Sequence, residues 1–385
     1  MSSSFLMPGR IISGRQSLEA EEARAVFRKS GKKALIITGP NIVKLGGCSR
    51  LEKVLSSENI AYGIFSEING EPDDRMVLSG LRSYKEYGCD FLIALGGGSP
   101  IDLMKAVGAL AGGGGCITDY MGKAIDADTP AMIAIPTTAG TGSEATQFTI
   151  ITDTKRQIKM LLKGEAFMPD CAILDPQLTM TAPSSVTATT GMDALCHCVE
   201  AFTSRKAQPM SDTFAISAVK RILKYLPLCY REGQDEQARD QMQIAALEAG
   251  IAFNNSSVTL IHGMSRPIGA LFHVPHGLSN AMLMRECLAW ALPAACDRFA
   301  MLGRETGSAA AEDSDEIAAG KFLTVVTGLM EELHIPTLEE YGINKEKYFK
   351  VIDKMAEDAM ASGSPSNTIR SVTKENIVQI YQDLW

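Results

Sequence analysis

The 385-residue sequence predicts an α/β domain with a parallel sheet, followed by an all-α domain. In the first half, short apolar runs typical of buried strands alternate with helical stretches, and loops rich in glycine and proline follow the runs. From about residue 183 the spacing of apolar residues is helical, with few β-branched clusters. We therefore place the α/β domain at residues 1–182 and the helical domain at residues 183–385.

The individual elements follow from these two patterns. Three apolar runs have the length of buried strands: Ala34–Thr38, Phe91–Leu95 and Met132–Ile135. A helical stretch, Asp74–Tyr87, separates the first two, which makes the pattern βαβ. Ligands of such sheets bind beyond the carboxyl ends of the strands, so the loops after the runs are candidate ligand loops. Three further stretches predict helices in the second half: Ser211–Leu223, Asp235–Phe253 and Gly320–Leu333.

The composition narrows the class of protein. A net charge of −8, without long basic stretches, argues against a nucleic-acid partner. No run reaches the roughly 18 apolar residues of a membrane helix, and no signal-peptide pattern is recognised, so we expect no membrane association. Nine cysteines, an odd number without regular spacing, fit reduced thiols. We expect a cytoplasmic protein.

Four of the five histidines and one aspartate indicate a metal site. Asp193 and His197 lie four residues apart in a run, 190–201, that reads as the start of a helix, so their side chains meet on one face. This pair cannot complete a coordination shell. The further donors that we propose are His262, in a helix-like run, and His276, in a turn. One carboxylate and three imidazoles suit Fe(II), Zn(II), Mn(II) or Co(II), and affinity alone favours zinc over iron. The alternative is that these are ordinary core or surface histidines.

A glycine-rich loop follows the second predicted strand. Residues 96–99 read Gly-Gly-Gly-Ser, and a helix is predicted to begin near Pro100. Bare backbone N–H groups and the positive end of a helix can hold an anionic pyrophosphate, although tight turns also use glycine for conformational reasons alone. The loop matches neither G-x-G-x-x-G nor a P-loop. With phosphate loops in one domain and metal ligands in the other, we expect the active site between the domains.

Four motifs, in this order, resemble the iron-containing (group III) alcohol dehydrogenases: residues 96–102, 136–144, 191–200 and 275–277. The similarity runs nearly end to end. It implies a dinucleotide-binding domain and a helical metal-binding domain of the dehydroquinate synthase-like fold, often assembled as homo-oligomers. It implies Fe(II), with Zn(II) as the alternative, NAD or NADP as the cofactor, and a small alcohol or aldehyde as the substrate. The matching metal ligands are Asp193, His197, His262 and His276.

The resemblance also implies the residues of the cofactor site. The pyrophosphate is expected on Gly97, Gly98 and Ser99, and the cofactor cleft is expected to contain Asp102, Thr137, Thr138, Thr141 and, nearby, Lys159. Members that prefer NAD often carry an acidic residue after the first strand, where this chain has Gly39. We therefore predict tolerance of, or preference for, NADP. Many members have Asn-Pro where this chain has Glu71-Pro72, so one small cofactor contact that the asparagine makes is not expected here.

Two residues are candidates for contact with the substrate. Arg266 stands four residues after the third ligand, where many members have a histidine. It stays charged and can pair with an anionic substrate group, or it can form a structural ion pair. His273 is a candidate for substrate contact or proton relay, with a structural role beside the metal as the alternative.

The expected reaction is hydride transfer between a metal-bound small alcohol or aldehyde and nicotinamide. The metal acts as a Lewis acid that lowers the pKa of the alcohol, and the cofactor carries the hydride. Two alternatives stay open. One is a transhydrogenase that passes hydride between a hydroxy acid and an oxo acid while it retains its nicotinamide. The other is a dehydroquinate synthase-like lyase, which needs basic residues that the helical half does not show as a cluster.

Overall fold

The computed structural model describes residues 4–123, 125 and 127–385. These residues form two compact units. One unit spans Leu6–Ala182, and the other spans Pro183–Trp385 together with the N-terminal residues Ser4 and Phe5. The first unit is an α/β fold and the second is helical, which confirms the predicted fold class.

The first unit is built on a six-stranded sheet whose neighbouring strands are all parallel, in the order β1-β8-β5-β4-β2-β3. Its strands are β1 (Arg10–Ser13), β2 (Lys33–Thr38), β3 (Ala61–Phe65), β4 (Phe91–Gly96), β5 (Met132–Pro136) and β8 (Cys171–Leu174). An antiparallel hairpin, which the sequence analysis did not include, is formed by β6 (Phe148–Asp153) and β7 (Ile158–Lys163).

Hydrophobic cores cover both faces of this sheet. Leu35, Ile37 and Leu92 lie in one buried cluster, whereas Ile36 and Ile93 lie in the other. Successive side chains of a strand point to opposite faces, so a strand buried on both faces reads as a continuous apolar run, which is why these strands could be predicted. The helices of this unit are α1 (Glu21–Ser30), α2 (Pro40–Lys44), α3 (Ser49–Ser57), α4 (Asp74–Glu86) and α5 (Gly98–Gly113).

The second unit contains nine α-helices within its described residues, and α6 is the most deeply buried of those that carry predicted ligands. The helices are α6 (Ser184–Phe202), α7 (Pro209–Arg231), α8 (Glu236–Ser256), α9 (Leu260–Phe272), α10 (His276–Ala291), α11 (Cys296–Glu305), α12 (Asp315–Glu332), α13 (Lys345–Ala361) and α14 (Lys374–Asp383). Every residue from Gly191 to Phe202 is buried, and α6 packs against α7, α8 and α10.

Helix α6 begins earlier than the sequence analysis predicted. It starts at Ser184, directly after Pro183, instead of near Thr190. The first turns are rich in serine and threonine, which have a low helix propensity because their hydroxyls compete for backbone groups. In the folded helix these hydroxyls bond back to the preceding turn, as the Thr189 Oγ1 does to the Ser185 carbonyl at 3.0 Å.

In the part of the chain that the structure describes, no single helix has both the length and the hydropathy to cross a membrane. Only α8 and α9 taken together, bent by 105° at their junction, satisfy both criteria.

Candidate functional site

Three helices of the second unit bring predicted metal ligands together. Asp193 lies in α6, His262 in the first turn of α9, and His276 is the first residue of α10 rather than part of a turn. Each offers one ligand atom, and these atoms lie within 4.8 Å of one another. The Asp193 Oδ1 atom is 3.7 Å from the His262 Nε2 atom and 3.8 Å from the His276 Nε2 atom. The centre therefore assembles residues that are up to 83 positions apart in the sequence.

The fourth predicted ligand, His197, lies beside this group of three. Its Nε2 atom is 3.9 Å from the Asp193 Oδ1 atom, and its ring stacks on His262 and Phe253 with centroid distances of 4.5 Å and 4.3 Å. Its Nδ1 atom is buried and has no hydrogen-bond partner among the described residues. Nε2 is the nitrogen that approaches the Asp193 carboxylate, so it is the atom through which His197 could bind a shared ion.

Asn280, which the sequence analysis did not single out, contacts three of the ligands. Its Nδ2 atom donates to the Asp193 Oδ1 atom at 2.7 Å, and it lies 3.1 Å from the His262 Nε2 atom and 3.3 Å from the His276 Nε2 atom. Asn280 follows His276 by one turn of α10, so both side chains share a face. One amide nitrogen in contact with these three side-chain atoms shows that the atoms face a common point.

Glu200 is the second residue whose role sequence reasoning missed, although it lies within one of the motifs. Its Oε2 atom forms a short hydrogen bond with the His262 Nδ1 atom, and its Oε1 atom accepts from the Thr259 hydroxyl and the Ile261 N–H, both at 2.7 Å. A carboxylate on one nitrogen of a histidine fixes the ring and directs the other nitrogen to a metal. The available signal was spacing, because Glu200 follows Asp193 by two helical turns.

The electrostatics of the centre favour a positive charge. Burial acts to raise the pKa of the Asp193 carboxyl, but the neighbouring imidazoles lower it well below its usual range. Burial lowers the pKa of His197 to about 3, which leaves this ring neutral. Burial also acts to lower the pKa of His262, but the carboxylates of Glu200 and Asp193 raise it to about 9. Two buried carboxylates beside the imidazoles thus hold a positive charge at this centre, and a divalent cation bound there would take the place of the His262 proton.

Glu200→Gln should weaken metal binding by about 10- to 100-fold, because it keeps the shape of the side chain but removes the charge that orients His262. The dissociation constant can be measured by competition with a chromophoric chelator. Glu248→Gln is the matched control, since Glu248 is a largely buried carboxylate on α8 that pairs with Arg221. Equal metal affinity in the two variants would contradict the role given to Glu200.

In the first unit, the loop after β4 leads directly into a long helix. Gly96 has a φ of +156°, which residues with a side chain rarely adopt. Gly97 precedes α5, and Gly98 and Ser99 are its first two residues. The predicted pyrophosphate-binding residues thus coincide with the free N–H groups and the positive dipole end of a 16-residue helix.

The loop after β5 touches this glycine loop. The Thr137 N–H donates to the Gly96 carbonyl at 3.0 Å. A Cβ atom on Gly97 would lie 3.2 Å from the Thr138 hydroxyl oxygen, and one on Gly98 would lie 3.1 Å from the Thr141 Cγ2 atom. The absence of side chains on these glycines lets the two loops approach, so six of the predicted cofactor residues belong to one loop cluster: Gly97, Gly98, Ser99, Thr137, Thr138 and Thr141.

The carboxylate of Asp102 is hydrogen-bonded to the backbone. Its Oδ2 atom accepts from the Ile150 N–H of β6 at 3.0 Å, and burial raises its pKa. One turn further along α5, the fully buried Lys105 donates from Nζ to the Thr146 hydroxyl at 2.9 Å and to the Phe148 carbonyl at 2.8 Å. Burial lowers the pKa of Lys105 to about 8. Both residues fix the first turns of α5 against β6, and thereby position the glycine loop.

The remaining predicted cofactor residues lie outside the loop cluster. Lys159, on β7, forms an ion pair with Glu71 in which the Nζ and Oε2 atoms are 2.6 Å apart. Gly39 lies between β2 and α2 in an extended conformation, and a Cβ atom there would meet nothing within 4 Å. Because β2 and β4 are parallel neighbours, Gly39 and the glycine loop follow the same edge of the sheet.

The two predicted substrate-contacting residues take different positions near the metal ligands. His273 ends α9 with a left-handed φ of 56°, and its side chain is exposed. Arg266 is partly buried within α9, one turn after His262. The group of three ligand residues includes neither of them.

Family models match nearly the whole chain. Residues 8–176 match the model described as iron-containing alcohol dehydrogenase, and residues 187–385 match the C-terminal model of the Fe-containing alcohol dehydrogenase family. The chain belongs to the iron-containing alcohol dehydrogenase family. This confirms the resemblance that the four motifs indicated.

Relatives of this dehydrogenase align over most of its length. It is 34% identical over 385 residues to the NAD-dependent methanol dehydrogenase of Bacillus methanolicus, with 100% of both chains covered. It is 34% identical over 356 residues to the 1,3-propanediol dehydrogenase of Klebsiella pneumoniae, with 91% of each chain covered. The crystal structure of a 1,3-propanediol oxidoreductase matches with a TM-score of 0.95 at 31% identity and covers 100% of both chains.

Proposed function

We propose that this chain is a metal-dependent, NAD(P)-linked dehydrogenase that interconverts small alcohols and aldehydes. The observation that carries the proposal is the convergence of the Asp193, His262 and His276 ligand atoms within 4.8 Å. We propose these three residues and His197 as the ligands of Fe(II), as the family implies, with Zn(II) as the alternative because the donor set accepts both. Such an ion, when bound, supplies Lewis acidity that lowers the pKa of an alcohol towards neutrality.

The protein's own groups position and support this chemistry. Glu200 fixes the His262 ring, the neighbouring imidazoles keep Asp193 ionised, and the buried position of Asp193 on α6 keeps its carboxylate away from bulk water. We propose that the N–H groups of residues 97–99 bind the cofactor pyrophosphate, with Thr137, Thr138 and Thr141 beside it. A nicotinamide cofactor held there would supply the hydride-transfer chemistry. We assign Asp102 and Lys159 to the support of this cofactor site, in which their partners are Ile150 and Glu71.

The test is the oxidation of NADH or NADPH, followed by absorbance, when anaerobic Fe(II)-loaded protein meets a panel of short aldehydes. A chelator-treated sample is the control, and reloading with Fe(II) or Zn(II) identifies the productive ion. We expect metal-dependent oxidation of the reduced cofactor. Hydride exchange between a hydroxy acid and an oxo acid without net use of added cofactor would instead support the transhydrogenase. No turnover with any aldehyde or acid pair would overturn the proposal.

We also propose that the enzyme accepts NADP. Gly39 places no carboxylate at the end of β2, where an acidic side chain would bind a ribose 2′-hydroxyl and repel a 2′-phosphate. Gly39→Asp should lower kcat/KM with NADPH relative to NADH by at least about tenfold, because like charges in contact cost several kcal/mol. A Cβ atom there would meet nothing within 4 Å, and Gly39→Asn is the uncharged control of nearly equal size, which separates the effect of charge from that of bulk. An unchanged NADPH to NADH ratio in the aspartate variant would contradict this role.

We further propose a cytoplasmic homo-oligomer. All nine cysteines are free thiols, which supports a reducing compartment. Light scattering of the purified protein measures the number of subunits, and a monomer at micromolar concentration would overturn the oligomeric part of the proposal.

A further inference from the structure

A cationic side chain that has no partner among the described residues lies one helical turn beyond a proposed metal ligand. Arg266 follows His262 by four residues on α9, and side chains at this spacing share a face of the helix. Its side chain is partly buried. Within the described ranges, no carboxylate lies within ion-pair distance of the guanidinium, and no hydrogen bond to it is formed.

Other buried or partly buried arginines of the same unit do have partners. Arg298 pairs with Asp212 at 2.6 Å, Arg239 donates to the Thr187 hydroxyl at 2.8 Å, and Arg205 donates to backbone carbonyls. A charge taken out of water is costly unless it is paired or hydrogen-bonded. Arg266 thus differs from the other buried or partly buried arginines of its unit. A structural ion pair with a described residue is therefore not its role.

The charge of Arg266 is nevertheless retained. Burial lowers the pKa of its guanidinium, and the charge of Glu200 acts in the opposite direction. An arginine stays protonated at neutral pH even after a substantial shift. Glu200 is not a direct partner, because its oxygens are engaged by His262, Thr259 and Ile261. Five N–H donors in a planar fork are therefore left for a ligand, and this geometry suits an oxyanion.

We propose that Arg266 binds an oxyanion group of the substrate, so that the preferred alcohol or aldehyde carries a carboxylate or a similar anion at its far end. This inference rests on the proposed function, because it assumes that the reacting carbon lies at the centre formed by Asp193, His262 and His276. Arg266 lies one helical turn, a rise of about 6 Å, along α9 from His262, and we therefore test the inference with a short, four-carbon substrate. Arg266 is thus a specificity-determining residue of the dehydrogenase site.

The kinetic test compares two aldehydes of equal length, succinic semialdehyde and butanal, with metal-loaded holoenzyme. We expect the wild type to prefer the oxo acid by at least about tenfold in kcat/KM. Arg266→Gln should lower kcat/KM for the oxo acid by at least about tenfold, because a hydrogen bond to a charged group is lost. The same variant should change kcat/KM for butanal by less than about threefold. Arg285→Gln, an exposed arginine on α10, is the control for net charge and should leave the preference intact.

A binding measurement tests the same inference without turnover. Calorimetric titration with butyrate should give a dissociation constant that Arg266→Gln weakens by at least about tenfold, whereas binding of the neutral butyramide should not change. Arg266→Lys keeps the charge but loses the fork, so it should retain part of the preference for the oxo acid. This variant also carries the test if the glutamine variant fails to fold, as judged by circular dichroism.

The outcomes separate the two proposals. The anion site would be overturned if both aldehydes were turned over with equal, metal-dependent efficiency that Arg266→Gln did not change. This result would still support the proposed dehydrogenase function. Arg266-dependent binding of butyrate without turnover of any aldehyde would support the anion site and overturn the dehydrogenase. The role of Arg266 would be overturned if Arg266→Lys lowered kcat/KM equally for both aldehydes. It would also be overturned if the wild type did not bind butyrate.

Discussion

His262→Ala should leave a protein that neither retains a divalent ion nor oxidises alcohols. The change removes the Nε2 atom that lies 3.7 Å from the Asp193 Oδ1 atom, and it leaves the buried carboxylate of Glu200 without its imidazole partner. We expect metal affinity to fall by at least about 100-fold, since even indirect partners of metal ligands contribute 10- to 100-fold. We expect kcat/KM to fall by at least about 1000-fold, because Lewis acidity contributes several kcal/mol. Metal content after gel filtration and initial rates measure these effects.

His334→Ala is the matched control for His262→Ala. His334 is exposed, follows α12 and lies outside the group of ligand residues. It should leave metal content and kcat/KM within about threefold of the wild type, as is usual for exposed positions. If the His262 variant retained one ion per chain and its activity at ordinary metal concentrations, the ligand assignment would be wrong.

Gly277→Ala should also deplete the protein of metal, although glycine is not a ligand. A Cβ atom at this position would lie 2.5 Å from the Thr189 carbonyl oxygen and 3.2 Å from the Asp193 Cβ atom. The carbonyl belongs to the backbone of α6 and cannot rotate away, so the start of α10 has to move and carry His276 with it. Metal–ligand distances tolerate only about 0.2 Å. We expect at least about a tenfold loss of metal affinity, measured by competition with a chelator.

Gly328→Ala tests whether this effect is specific to the site. Gly328 lies inside α12, and a Cβ atom there would meet nothing within 4 Å. This control should keep full metal affinity and stabilise the protein by up to about 1 kcal/mol, because alanine is the better helix former. Comparable metal affinity in the two alanine variants would show that close packing at Gly277 is not needed for the metal centre.

The clustering of the proposed ligand residues could be predicted because part of their geometry is local. Asp193 and His197 are four residues apart on one helix, so the sequence alone places them on the same face. The sequence could not show that His276 begins a helix, because Pro275 and Gly277 are also typical of turns. Its approach to Asp193 depends on the packing of α10 against α6, which is a tertiary contact.

The supporting residues were harder to predict than the ligands. Glu200 had a detectable spacing on α6, but a glutamate on a helix is usually exposed, and its burial against His262 follows only from the position of α9. Asn280 carries no metal-binding pattern of its own. Lys105 reads as an ordinary helix residue, although the fold buries it completely between α5 and β6. Each of these roles is set by contacts between elements that are distant in sequence.

The parallel sheet could be predicted because its strands have a pattern that is visible in the sequence itself. Its central strands are buried on both faces and therefore read as uninterrupted apolar runs. Burial alternates along most of β6 and β7, but the sequences Phe-Thr-Ile-Ile-Thr-Asp and Ile-Lys-Met-Leu-Leu-Lys do not alternate strictly between apolar and polar residues, which is a weaker signal in such short segments.

Because the three proposed ligands that cluster come from three separate helices, an ion bound by them would also act as a structural cross-link. α6, α9 and α10 each contribute a donor, so an ion that binds only the folded arrangement shifts the unfolding equilibrium of the whole helical unit. At a free ion concentration 100 times the dissociation constant, this linkage adds about 2.7 kcal/mol to the free energy of unfolding. In a cell, the lifetime of this enzyme against proteolysis would then depend on metal supply, so that starvation for the ion would reduce the amount of the protein as well as its activity.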